Sequence, residues 1–128
     1  MIKTKKHKET VKMKKIFYLK SCSTNQRILK ELNLEGVDLQ NIKEENVDEQ
    51  TLDFLKSKMG SYEALFSRKA MKFRSMGLNE MNLTEADYKK YMLEEYTFLK
   101  RPFMINEDEV FIGNAKNVVE EAKKSFNS

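Results

Sequence analysis

Residues 15–19 (KIFYL) are rich in β-formers, and after the polar turn SCSTN the apolar period changes from two to that of a helix, with Ile28, Leu29, Leu32 and Leu34 on one face of QRILKELNLEG. Gly36 stands where a glycine closing that helix belongs. VDLQNI then alternates apolar and polar as a second strand does. Strand, helix and strand joined by so short a crossover pair in parallel, which excludes an all-helical bundle and an antiparallel sandwich.

Further along, Asp48 precedes a helical stretch with Leu52, Leu55 and Met59 at i, i+3, i+7, stopped by Gly60. The segment SYEALFSRKAMKFRSMGLNEMNL reads as short helices and loops. Thr84 with Asp87 three positions on has the form of a capping box for a helix ending near Glu95. Past the only proline, PFMI and VFIG are two β-rich runs separated by NEDE, four polar residues suited to a hairpin. Asn114 is placed to cap a last helix whose face carries Ala115, Val118, Val119, Ala122 and Phe126. The expected order is β-α-β, helices, β-β-α. This is an α/β chain with the thioredoxin-like order, a helical insertion before the third strand and a mixed four-stranded sheet.

At 128 residues, with 40% hydrophobic and 34% charged residues, the chain has material for one domain with an ordinary core under a charged surface. Its formal charge of +4 is carried by residues 1–12, where five lysines stand against one glutamate, so residues 13–128 are neutral. That distribution argues against a nucleic-acid-binding fold and for a disordered basic tail ahead of a domain spanning 13–128. One cysteine and one histidine exclude an intramolecular disulfide and a four-ligand zinc site, so no metal and no bound cofactor are expected. No apolar run is long enough to span a bilayer and the start has no apolar signal core. The expected setting is the cytoplasm, which suits a lone thiol.

Cys22 falls at the junction of the first strand and first helix. Unpaired N–H groups there favour an anion, which suits both a reactive thiolate and an oxyanion held beside it. A structural cysteine would more naturally lie inside the apolar run than in SCSTN. The Arg101-Pro102 step opens the third strand. A proline in that place can be cis, turning the preceding side chain toward whatever the strand end faces, and the topology sets that end near Cys22.

The segments KIFYLKSCSTNQRILKEL, YEALFSRKAMKFR and MLEEYTFLKRPFMI followed by VFIGN resemble the ArsC/Spx family, the arsenate reductase-like branch of the thioredoxin superfamily. The resemblance runs over about residues 13–126. It implies that Cys22 is the nucleophile and that Arg101, before Pro102, helps hold an oxyanion, with Thr24, Asn25, Arg68 and Pro102 contributing to the substrate site. Asn25 stands where many members have a second cysteine, as in the one-cysteine reductases linked to glutathione and glutaredoxin. Tyr18 replaces those reductases' histidine, and Asn114 falls where their last arginine lies. Arg27, one turn past the cysteine, reads as a solvated arginine.

The resemblance therefore implies a thiol oxidoreductase, working as a monomer on an oxyanion or disulfide, with glutathione as co-substrate and glutaredoxin as partner. Two alternatives stand beside it. One is a Spx-like regulator that binds RNA polymerase, whose two-cysteine switch Asn25 removes. The other is a glutathione-binding member without arsenate reductase activity.

Overall fold

The computed structural model describes residues 13–128; the basic segment 1–12 lies outside the described residues. β-Branched and aromatic residues build β1 (Lys14–Tyr18), which leads through a short loop into α1 (Ser23–Lys30) and back to β2 (Asp38–Asn41). Then follow α2 (Glu49–Met59), α3 (Met71–Ser75) and α4 (Glu85–Glu94), with single 3-10 turns at Glu63–Leu65, Leu78–Glu80 and Tyr96–Phe98. The chain closes with β3 (Phe103–Asn106), β4 (Glu109–Ile112) and α5 (Lys116–Phe126).

The sheet order is β2-β1-β3-β4. β1 pairs parallel with β2 and antiparallel with β3, and β3 antiparallel with β4, so the sheet is mixed as the βαβ and ββ segments require. Side chains alternate across it. Ile16 and Met104 lie in one cluster with Ile28, Leu29 and Leu32 after β1 and with Ala122 and Phe126 of α5. Phe17, Phe103 and Ile105 alternate to the opposite face and are buried as well. Each such side chain contributes roughly 1.5–3 kcal/mol of burial.

By its contacts the chain divides into two compact units, one holding residues 13–41 and 101–128, the other Ile42–Lys100. The second has its own aromatic centre. Phe66, fully buried, stacks on Phe98 with ring centroids 5.0 Å apart and meets Tyr88 edge-on at 5.0 Å and Phe73 at 6.0 Å. α2 starts at Asp48, which accepts from the Thr51 N–H at 2.8 Å, and ends at Gly60, whose φ of +97° is the left-handed closure expected there. Thr84 and Asp87 form both bonds of the capping box of α4.

Several local expectations differ from the structure. α1 ends at Lys30, so Gly36 closes no helix; it takes a left-handed turn (φ +75°) in the loop beyond. Leu32 still reaches the core without being helical. The hairpin turn is two residues rather than four, because Asn106 pairs with Glu109, and Glu107 takes the left-handed conformation with its N–H on the Met13 carbonyl at 2.6 Å. Asn114 does not cap α5. Ala115 is the N-cap, with no side-chain bond, and it is exposed rather than part of the buried face.

Candidate active site around Cys22

The sheet's register fixes what meets at one edge. Phe17↔Phe103 is the last pair of β1 with β3, so the Arg101-Pro102 step that leads into β3 and the loop that leaves β1 lie at the same sheet edge. β2 runs parallel to β1 and ends at this edge with Asn41; β4 ends there with Ile112, followed by Gly113 and Asn114. The Arg101-Pro102 peptide is cis. The Pro102 carbonyl accepts from the Gly113 N–H at 2.9 Å.

Cys22 sits in the loop that leaves β1 at this edge. It is the N-cap residue of α1, with extended backbone (φ −92°, ψ 116°) and no cap bond from its side chain. Cys22 is partly exposed. Because the N-cap side chain takes none of the first-turn N–H groups, those donors stay available to an anion at the helix start.

Side chains hold this loop at several points. The Leu19 N–H donates to Asn25 Oδ1 at 2.9 Å, and the Lys20 N–H to Asn41 Oδ1 at 3.1 Å. Gln26 Nε2 donates to the Lys20 carbonyl at 2.8 Å. The backbone closes on itself, with the Cys22 N–H on the Leu19 carbonyl and the Gln26 N–H on the Cys22 carbonyl, both at 3.0 Å. The thiol thus rides on a loop fixed to α1 and to the end of β2, a support that limits misplacement of a reacting group. Gln26 and Asn41 have no part in the sequence expectations; a polar side chain at the end of β2 and another in the first half of α1 are the signals that mark them.

Asn25 is the one fully buried polar residue of the described chain. Its Oδ1 is used by Leu19, while its Nδ2 has no partner among the described residues. An amide donor left so costs about 1–3 kcal/mol. Thr24, partly exposed, lies in the first turn of α1 with Asn25, and Arg27 is exposed beyond it. Tyr18 packs at the margin of the α1 and α5 core cluster. Arg101 is partly buried and Asn114 exposed.

Cys22, Thr24, Asn25, Arg101 and Pro102 therefore share one compact unit and the loops of one sheet edge. Arg68 belongs to the other unit. Its Nη2 donates to Glu63 Oε2 at 2.7 Å and to the Tyr88 hydroxyl at 2.6 Å. The Glu63 carboxylate, more than the Tyr88 ring and hydroxyl, holds this guanidinium still more firmly protonated than usual. Among the described residues, no group of three or more His, Cys, Asp or Glu is arranged to hold a metal, and no helix is long and apolar enough to cross a membrane.

The decisive likeness is in sequence. Residues 17–122 match the ArsC family. The chain belongs to the ArsC family. Solved structures agree on its thioredoxin-like fold. An arsenate reductase from Vibrio cholerae is 18% identical, with a TM-score of 0.67 over 88% of this chain and 98% of that one. An arsenate reductase (ArsC) related protein from Brucella melitensis is 24% identical, with a TM-score of 0.62 over 85% of this chain and 92% of that one. No curated protein matches the chain. Within the ArsC family, the match takes in Cys22, Arg68, Arg101 and Pro102 alike, so it spans both compact units.

Proposed function

We propose that this ArsC family member is a thiol-dependent oxidoreductase in which Cys22 attacks an oxyanion or disulfide substrate. The observation that carries the reading is the placement of Cys22 at the start of α1, on the sheet edge where the cis Arg101-Pro102 step leads into β3. The sulfur forms a bond to the oxidised atom of the substrate as one oxygen leaves as water, or as one thiolate leaves a disulfide, while the helix N–H groups and Arg101 stabilise the negative charge that develops. A glutathione thiolate then attacks Cys22 sulfur, releasing the reduced product and leaving a mixed disulfide. Glutaredoxin supplies the exchange that frees Cys22, so two thiols are oxidised for each two-electron reduction. Thr24 and Asn25 line the nucleophile's turn. Such chemistry belongs in the cytoplasm, where thiols are kept reduced.

The likeness to proteins described as arsenate reductases makes arsenate the first substrate to test. The experiment is a coupled assay of arsenate reduction with glutathione and glutaredoxin supplied, against Cys22→Ser. Turnover lost in that variant supports the reading. No wild-type turnover with arsenate or with a glutathione mixed disulfide, together with retained binding to RNA polymerase, replaces it with the regulator.

A further inference from the structure

Residues 64–79 carry Arg68, Lys69, Lys72 and Arg74 and no acid, the nearest acids being Glu63 and Glu80. In a domain whose charges otherwise cancel, that is a local concentration of one sign. Arg68 is committed to Glu63 and Lys72 to Glu95 at 2.6 Å, whereas the exposed Lys69 and Arg74 side chains make no ion pair with another described residue. Apolar exposure gathers on the same stretch. Of the five large hydrophobic side chains exposed among the described residues, three are Met71, Met76 and Met81, and Met71 is 90% exposed. The geometry of α3 accounts for this. The Phe73 ring meets Phe66 at 6.0 Å, which turns that side of the helix toward the aromatic centre. Met71, two residues back, then lies about 160° round the helix and faces away, with Lys72 and Arg74 about 100° to either side of Phe73. The 3-10 turn Leu78–Glu80 packs on α3 through a segment whose Leu78 is buried, and Met76 and Met81 bracket it. Apolar residues scattered singly over a surface are ordinary, but methionines gathered among cations mark an interaction surface.

We infer that this face of the Ile42–Lys100 unit is a docking surface for an acidic protein segment that carries apolar side chains. The segment's carboxylates meet Lys69 and Arg74, and its apolar side chains pack on Met71, Met76 and Met81, whose unbranched thioethers adapt to varied shapes. Charge complementarity selects this occupant over the others. A second copy of the chain brings like charges together. A bilayer surface calls for a longer amphipathic helix with aromatic or leucine side chains turned outward, and α3 has five residues and neither. Nothing in the inference depends on the chemistry of Cys22, which lies in the other unit.

The probe is a short fluorescent peptide of glutamate and leucine, with binding to the full chain read by anisotropy. The wild type should bind it, less tightly as salt rises. Lys69→Glu with Arg74→Glu should weaken binding at least about tenfold, since attraction becomes repulsion at two points. Lys58→Glu with Lys90→Glu makes the same change in net charge at exposed positions of the same unit outside this stretch, and should leave affinity within about threefold, because screening confines the effect to nearby charges. Met71→Ser should weaken the glutamate-leucine peptide and leave a glutamate-serine peptide, itself the weaker ligand, unchanged. All these positions are exposed, so unchanged circular dichroism and melting temperature are expected, and alkylation of Cys22 should run at the wild-type rate in each variant. No binding by the wild type overturns the inference, as does equal loss in the two charge-reversed pairs or equal affinity for the two peptides. Tighter binding to phosphatidylserine vesicles or to single-stranded DNA than to the peptide overturns it as well, and assigns the surface to lipid or nucleic acid.

Discussion

Cys22 and Arg101 show how far single residues can be read from sequence. That Cys22 opens a helix was legible from the switch of period after KIFYL, and the structure makes it the N-cap of α1. What surrounds it was not, because the bonds to Asn41 and from Gln26 join residues 21 and 6 positions apart and no local pattern encodes them. At this scale the reductase reading predicts a large effect from one guanidinium. Arg101→Ala should lower turnover of an oxyanion substrate by roughly 10- to 1,000-fold, as loss of one preorganised transition-state donor does. Arg101→Lys should recover only part, since an ammonium keeps the charge without the planar fork. Steady-state kinetics on both variants decide it; full activity in Arg101→Ala removes Arg101 from the site. The loop's anchors act one step further off. Asn41→Ala should reduce kcat more than it lowers the melting temperature, because it frees the Lys20 N–H at the loop without opening the core, and an equal fall in stability would mark Asn41 as structural only.

Among the elements, caps were the most legible signals and loop geometry the least. Asp48 with Gly60, and Thr84 with Asp87, bracket α2 and start α4 where short-range chemistry put them. Asn114 and Gly36 have the right chemistry in the wrong place: α5 starts one residue later, and α1 stops at Lys30 while Leu32 goes on to reach the core. Tertiary packing overrides the local preference at both ends. The capping box of α4 carries a pH signature. The bond from the Thr84 N–H, more than the Thr84 side chain, holds the Asp87 carboxyl below its usual range. A depressed carboxylate stabilises the fold above the unfolded value of about 3.9, and that stabilisation fades as pH falls through the lower folded value. Thr84→Ala should cost about 1 kcal/mol at neutral pH. Denaturant titrations should show the wild type's margin over Asp87→Asn shrinking below about pH 4. A margin constant down to pH 2 would show that the box does not couple to protonation.

For the molecule as a whole, the order of elements carried the topology. A βαβ start forces a parallel pair, a hairpin end forces an antiparallel one, and the two meet in the sheet order β2-β1-β3-β4. The separate aromatic core of Ile42–Lys100 was not legible, since Phe66, Tyr88 and Phe98 are scattered over 33 positions and only the fold assembles them around one ring. The chain-wide fact with most bearing on chemistry is that 128 residues contain one cysteine. A nucleophile with no resolving thiol in its own chain must stop at an intermolecular product. Folded protein incubated with oxidised glutathione should therefore gain one glutathione at Cys22 and no more, seen by intact mass, and glutaredoxin with reduced glutathione should remove it. Because Cys22 is partly exposed on a loop held by Asn25, Gln26 and Asn41, the reaction should run on the native state without unfolding. Modification that occurs only when denaturant is added would instead identify Cys22 as packing, and with it the oxidoreductase reading would fall.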